Sequence, residues 1–200
     1  EANLLLDLQN GLVFNSKNIR YRVLEGEVEM LDNKTIAGYN RVRGWVARYF
    51  YYMIVFDRPY TVKKELPQEE GEKAKRFILE FDLKEGESVQ VKVALSTVGI
   101  EGAKMALDKE NPGWNFESIK AETNGKWNDM LSLVEVEGTE EEKMNFYTSM
   151  YHLFIQPTNI ADIDGKYRGA NDSIFVSSTG YYYSTFSLWD TYRAAHPLYT

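Results

Sequence analysis

The stretch that decides the fold is "RFILEFDL", which runs from Arg76 to Leu83. From Phe77 onward, large apolar side chains recur at every second position, and Glu80 and Asp82 stand between them. Side chains alternate between the two faces of a β-strand, so this period of two predicts a strand with one buried and one solvated face. Antiparallel sheets commonly have such strands, whereas buried parallel strands are apolar on both faces.

The same alternation predicts strands over Ile19–Gly26, Gly44–Phe56 and Ser88–Ser96. The expected inward face of the last strand carries Val89, Val91, Val93 and Leu95. The charged stretch 66–75 is expected to form a hairpin tip. Several short strands joined by turns predict a β-sandwich or a barrel.

After about residue 100 the hydrophobic period becomes helical. Asn115 is a suitable N-cap for one helix, and the four residues Thr139–Glu142 form a capping box that predicts the start of another. Gln156 followed by Pro157 should end that second helix. A loop of about 25 residues then precedes the closing helix, and structureless loops of that length are uncommon unless they have a function.

The closing stretch "STFSLWDTYRAAHP", from Ser184 to Pro197, has two interpretations. Ser187 and Asp190 have the spacing of a capping box, which is a structural role. In the alternative, Trp189 stacks on a ligand ring and Asp190 accepts hydrogen bonds from neighbouring hydroxyls. Arg193 would then be either an orienting partner or one half of a structural salt bridge.

The long loop contains several side-chain oxygens, and its "DIDG" stretch begins at Asp162. These residues resemble the start of a calcium-binding loop, but Ser173 stands where an EF-hand requires the closing Glu. Asx turns are the structural alternative for Asp162 and Asp164. Arg168, in the same loop, could face a polar ligand.

Composition excludes several classes of function. The net charge of −7 over 200 residues disfavours nucleic acid as a partner, because binding to phosphates depends on clustered Lys and Arg. The absence of cysteine excludes thiolate nucleophiles and disulfides. No apolar run approaches the ~20 residues of a membrane span. The two histidines lack ligand spacing, while the aromatic share of 14% fits either many strands or a sugar-binding surface.

The sequence closely resembles the family 92 glycoside hydrolases, which are α-mannosidases. The resemblance is strongest in "FYTSMYHLFIQPTNIADIDGKYRG" (146–169) and "YYYSTFSLWDTYRAAHPLYT" (181–200), and "GYNRVRGW" and "VALSTVGIEGAKMAL" agree with it. It implies an α+β multidomain fragment. An antiparallel β-sandwich, incomplete at its N-terminus, would occupy residues 1–110, a helical linker 111–137, and the first helices of an (α/α)6 barrel 138–200.

The resemblance also implies a function. The complete protein would be a calcium-dependent, inverting, exo-acting α-mannosidase of mannose-containing glycans, N-glycans among them, with α-1,2 linkages expected. The catalytic acid and base and the main calcium ligands would lie later in the barrel, which leaves the fragment inactive. Trp189 and Asp190 correspond to the terminal-mannose subsite, and Arg168 and Asp164 are further substrate-binding candidates.

Three more expectations complete the interpretation. Export from a bacterial cell follows from the family alone. Apolar helix faces at Phe146–Phe154 and Phe186–Tyr192 predict self-association of the fragment. The alternative function is a non-catalytic carbohydrate-binding or structural β-sandwich module with a helical tail.

Overall fold

The structure, a computed structural model, describes residues 2–10, 23–43, 47–184 and 187–199. The strands are β1 (Ala2–Asp7), β2 (Val23–Met30), β3 (Thr35–Arg43), β4 (Ala47–Phe56), β5 (Thr61–Glu65), β6 (Arg76–Phe81), β7 (Val91–Ser96), β8 (Lys166–Arg168) and β9 (Ile174–Val176). The helices are α1 (Ile100–Glu110), α2 (Phe116–Leu131), α3 (Glu140–Phe154), α4 (Leu188–Thr191) and α5 (Ala195–Tyr199).

The first seven strands form a β-sandwich. One antiparallel sheet has the order β1-β6-β5 and the other has the order β2-β3-β4-β7. Phe77, Leu79 and Phe81 of β6 are buried in one hydrophobic cluster with residues of the other sheet, Phe56 among them. The predicted sandwich and its period-two strands are therefore confirmed. Residues 19–22 and 44–46 of the predicted strands lie outside the described residues.

The expected inward face of β7 is not buried. Val91, Val93 and Leu95 are 47, 58 and 61% exposed, although they pair with the buried Phe56, Ile54 and Tyr52 of β4. Their side chains thus share the face that forms the sandwich core elsewhere. They remain exposed because β7 is an edge strand of the four-stranded sheet, and the described strands of the opposite sheet do not cover it.

Helix α1 packs on the outer face of the four-stranded sheet. Its buried residues Ala103 and Leu107 form a second cluster with Ala37 of β3 and Met53 of β4. Sequence periodicity did not predict this helix, because only two of its residues are buried.

The predicted long loop contains a hairpin. Strands β8 and β9 pair antiparallel, and the rings of Tyr167 and Phe175 stack with centroids 5.7 Å apart. The chain divides into two compact units, and this segment belongs with the sandwich. The sheet unit comprises Glu1–Trp114 and Ala161–Gly180, and the helical unit comprises Asn115–Ile160 and Tyr181–Thr200. The division is therefore discontinuous along the chain, whereas the prediction divided the chain at residues 110 and 137.

The helical unit contains the two helices predicted from capping signals. Asn115 caps α2, and Thr139 forms the complete capping box with Glu142 at the start of α3. Trp127 and Tyr151 join these helices with ring centroids 4.5 Å apart. Within the described part of this unit, Met150 and Ala195 are the buried hydrophobic residues, so most apolar side chains of its helices are exposed. No helix among the described residues is long and apolar enough to cross a membrane.

Candidate functional site

Helix α4 presents the two residues that the sequence singled out. Trp189 is 88% exposed, and Asp190 is exposed beside it. The Asp190 backbone N–H donates to the carbonyl oxygen of Ser187 at 3.1 Å, but the Ser187 side chain makes no capping hydrogen bond. The predicted capping box at Ser187 is therefore not formed.

Within the described part of the chain, no hydrogen bond or ion pair engages the Asp190 carboxylate. Arg193, its proposed orienting partner, instead donates from Nε to the Tyr192 hydroxyl at 2.7 Å and lies over that ring. An exposed indole next to an unengaged carboxylate can contact both the apolar face and the hydroxyls of a sugar. The carboxylate accepts hydrogen bonds and the ring provides a flat apolar surface.

Arg168 ends β8 in the sheet unit, where its guanidinium is held by the protein itself. Its Nε donates to the carbonyl oxygen of Thr97 at 2.7 Å, and its terminal nitrogens donate to the carbonyl oxygens of Val98 at 3.2 Å and Asp172 at 2.9 Å. Its guanidinium carbon lies 4.9 Å from the centroid of the Tyr49 ring. These contacts indicate that Arg168 holds the β8–β9 hairpin to the rest of the sheet unit.

Asp164 forms the Asx turn that was the structural alternative. Its Oδ1 accepts from the backbone N–H of Lys166 at 3.1 Å, and its Oδ2 pairs with the Lys166 ammonium at 2.7 Å. The hydrogen bond from the Lys166 side chain is the main cause that lowers the pKa of Asp164. Gly165 follows with φ of 82°, a conformation that glycine adopts without steric cost.

Asp162 has a long-range role that the sequence did not reveal. Ser96 Oγ donates to Asp162 Oδ2 at 2.7 Å and accepts from the backbone N–H groups of Val98 and Gly99. Burial is the main cause that raises the pKa of Asp162. The carboxylate also lies against Gly102, where a Cβ would stand only 2.0 Å from Asp162 Oδ2. No local pattern connects positions 66 residues apart, so only the fold could show this pair.

The acids of the loop do not form a calcium site. Ser96 engages the carboxylate of Asp162, and Lys166 engages that of Asp164. Within the described ranges, no three His, Cys, Asp or Glu side chains come together in a way that could hold a metal ion. Calcium usually takes six to eight oxygen ligands, so the residues that the structure describes do not fit this ion.

The four candidates divide between the two units. Arg168 and Asp164 belong to the sheet unit, whereas Trp189 and Asp190 belong to the helical unit. The assignment of all four to substrate binding stays a prediction, and the contacts described above set Trp189 and Asp190 apart from the other two.

Two family profiles match this chain. The profile described as "Glycosyl hydrolase family 92 N-terminal domain" matches residues 1–96, and the profile described as "Glycosyl hydrolase family 92 catalytic domain" matches residues 102–200. Together, the two matches cover the β-sandwich and the helices that follow it, and both profiles describe domains of one glycosyl hydrolase family. The chain belongs to glycosyl hydrolase family 92.

Solved structures agree with this assignment. The family GH92 α-mannosidase BT3965 from Bacteroides thetaiotaomicron is 31% identical over 87% of this chain, with a TM-score of 0.79. The inverting mannosidase BT2199 from Bacteroides thetaiotaomicron VPI-5482 is 22% identical over 87% of this chain, with a TM-score of 0.76, and this similarity concerns the fold alone. This chain covers 25% of the first protein and 26% of the second. No curated protein sequence matches the chain.

Proposed function

We propose that the complete protein is an exo-acting α-mannosidase that releases terminal mannose from glycans. Family membership and the 31% identity to an α-mannosidase of the same family support the proposal. The chain would supply part of the β-sandwich, the helical linker and the first helices of the catalytic barrel.

The observation that carries the proposal within this chain is the pair Trp189–Asp190. The indole is 88% exposed, and the carboxylate next to it has no hydrogen-bond partner among the described residues. In the proposed terminal-mannose subsite, Trp189 stacks on the sugar ring, and Asp190 accepts hydrogen bonds from two hydroxyls. Hydrogen bonds to a charged acceptor contribute about 1.5–3 kcal/mol each, which suffices to orient the sugar for cleavage.

The proposed chemistry is hydrolysis with inversion, as the family resemblance implies. Inversion requires an acid for the leaving oxygen and a base that activates water, with the two carboxyl groups about 6.5–9.5 Å apart. We assign both groups to parts of the complete enzyme outside this chain. The calcium that the resemblance implies would also be held there, since the described residues do not fit it.

The test is mannose release by the complete enzyme from α-1,2-mannobiose, compared with the α-1,3 and α-1,6 isomers. Asp190→Asn keeps the shape of the side chain but removes its charge, so kcat/KM should fall about 100-fold, the equivalent of ~3 kcal/mol. Ser187→Ala is the matched control on the same helix, because the Ser187 side chain makes no capping bond. A chelator should also abolish release if calcium is required.

Three outcomes would change this interpretation. Full activity of Asp190→Asn would remove Asp190 from the sugar site but leave the enzyme assignment intact. Preference for another linkage would correct the α-1,2 expectation. No release from any α-mannoside would favour the non-catalytic binding module.

We further propose that the complete protein is exported from a bacterial cell, where it would meet N-glycans and other mannose-containing glycans. The family resemblance supports this, and cell fractionation followed by immunoblotting tests it. Enzyme confined to the soluble cell interior would contradict it.

We also propose that the 200-residue chain self-associates. The exposed apolar residues of edge strand β7 add to the exposed helix faces, and unpaired edges promote contacts between chains. Val93→Lys places a charge in the middle of this face and should shift sedimentation toward the monomer. Monomeric wild type at all concentrations would refute the idea.

A further inference from the structure

A cleft in the sheet unit is not used by the function proposed above. It lies between α1 and the outer face of the four-stranded sheet, and we call it the α1 cleft. Its volume is about 670 Å³. This lies within the ~300–1,000 Å³ that is usual for small-molecule sites. All of its lining residues belong to the sheet unit, whereas Trp189 and Asp190 belong to the helical unit.

The floor of the α1 cleft is apolar. Met53 and Val55 of β4 line it from the sheet, and Leu107 lines it from α1. Met53 and Leu107 are buried, and Val55 packs against the cluster that they form. A floor of this kind suits the C–H face of a sugar ring, which is apolar although the ring edge is polar.

One wall of the α1 cleft is already fixed. The Lys92 ammonium lies 4.3 Å from the centroid of the Trp114 ring and donates to the carbonyl oxygen of Asn111 at 2.9 Å. This cation–π contact and this hydrogen bond hold the indole and the ammonium in place together. A ligand therefore meets an ordered aromatic wall, so less conformational entropy is lost on binding.

The rim of the α1 cleft carries charges of both signs. Glu101, Lys104 and Asp108 of α1 line the cleft, as does Glu29 of β2. With Lys92 included, three carboxylates and two ammonium groups surround the opening, an excess of one negative charge. This near balance favours neither a strong anion nor a strong cation. The rim instead places hydrogen-bond acceptors and donors side by side. A hydroxyl group suits such a rim because it both donates and accepts hydrogen bonds.

We propose that the α1 cleft binds a neutral saccharide of one or two pyranose rings. The apolar floor and Trp114 contact the ring carbons, and the carboxylates and ammonium groups of the rim bind the hydroxyls. The cleft would then provide a second sugar-binding site in the protein. The choice of mannose as the first probe rests on the proposed function, but the chemistry of the cleft does not.

The experiment is a ¹H–¹⁵N NMR titration of the 200-residue chain carrying Val93→Lys, which counters self-association and lies outside the cleft lining. The ligands are methyl α-mannoside and α-1,2-mannobiose, with glycerol as a control for hydroxyls without a ring. We expect saturable shifts at the Trp114 indole N–H and at the amides of Lys104 and Leu107, with Kd near ~10⁻³ M. Trp114→Ala should weaken binding about tenfold or more, as loss of a central aromatic contact does. Phe50→Ala, the matched control at an exposed aromatic residue of β4 that does not line the cleft, should leave these shifts unchanged.

Lys104→Ala provides a second test, because Lys104 is exposed and its loss does not disturb the core. It should weaken binding about threefold by removing one rim donor. Equal shifts with glycerol, shifts that remain in Trp114→Ala, or a folded chain without saturable shifts would each overturn the proposal. The titration needs no catalysis, so its failure would not affect the mannosidase proposal. A lack of mannose release by the complete enzyme would likewise not affect the proposal that the α1 cleft binds a saccharide.

Discussion

Replacement of Arg168 by alanine is the most informative perturbation of the sheet unit. The guanidinium joins the β8–β9 hairpin to the carbonyl oxygens of Thr97 and Val98, which follow β7, in two part-buried hydrogen bonds. Each such bond from a charged donor contributes about 1.5 kcal/mol at the lower end of the usual range. The cation–π contact with Tyr49 adds about 0.5–1 kcal/mol. Without any contribution from the exposed bond to Asp172, the expected loss of unfolding free energy is ~3.5–4 kcal/mol.

The assay is urea unfolding of the 200-residue chain, followed by far-UV circular dichroism, with hydrogen exchange to locate the effect. In Arg168→Ala, amides of 161–180 should lose protection before those of β3 and β4, because the hairpin loses its attachment. Arg168→Lys keeps the charge but not the planar group of donors, so its free energy of unfolding should lie between those of wild type and Arg168→Ala.

Arg193→Ala is the matched control, because the Arg193 guanidinium contacts the ring of its neighbour Tyr192. We expect the free energy of unfolding of this variant to lie within ~0.5 kcal/mol of the wild-type value. A loss below ~1 kcal/mol in Arg168→Ala, with hairpin protection unchanged, would refute the assignment of Arg168 as the attachment of the hairpin.

Three further predictions concern stability. Gly102→Ala should lower the free energy of unfolding in urea by ~2 kcal/mol or more, because the new Cβ would stand 2.0 Å from Asp162 Oδ2. Gly125→Ala on α2 should instead raise it by up to ~1 kcal/mol, because the new Cβ has nothing within 4 Å and alanine favours the helix. Thr139→Ala should cost about 1 kcal/mol through loss of the capping box, and equal effects of Thr139→Ala and Ser187→Ala on thermal unfolding would contradict the capping geometry. Burial raises the pKa of Asp162 above its ordinary 3.8, so the folded chain binds this proton more tightly and stability falls as pH rises from 3.8 through the raised pKa. Asp162→Asn should remove that part of the pH dependence, and identical pH profiles of unfolding would be the contrary result.

Local sequence signals predicted the elements that local interactions determine. The alternation around Phe77 predicted β6 and its buried face, because the sheet period and the core lie in the same few residues. The capping box at Thr139 was predicted for the same reason. Ser187 has the same spacing to an acid, yet its side chain makes no cap, so the motif alone does not decide whether the hydrogen bonds form.

Features that depend on distant residues were not predictable. The alternation in β7 predicts a strand, which is confirmed, but the exposure of Val93 depends on which strands cover it. The contacts of Arg168 with Thr97, Val98 and Tyr51 join positions at least 70 residues apart, and its spacing within the loop carries no sign of them. For the candidate site, the residue types at Trp189 and Asp190 left a capping role and a ligand role open, and the family resemblance favoured sugar binding. The exposure of both residues and the missing cap came only from the structure.

The discontinuous sheet unit affects how the chain folds as it is synthesised. Residues 161–180 complete a unit whose other part ends at Trp114, and the helices of residues 115–160 are made in between. Arg168 meets Tyr51 across 117 residues, a separation that raises contact order and slows folding. Until residues 161–180 have left the ribosome, Tyr51 lacks the arginine that packs on its ring, and Tyr49 has only Arg41 on its ring. The nascent sandwich therefore keeps part of an aromatic surface open until this late segment is made.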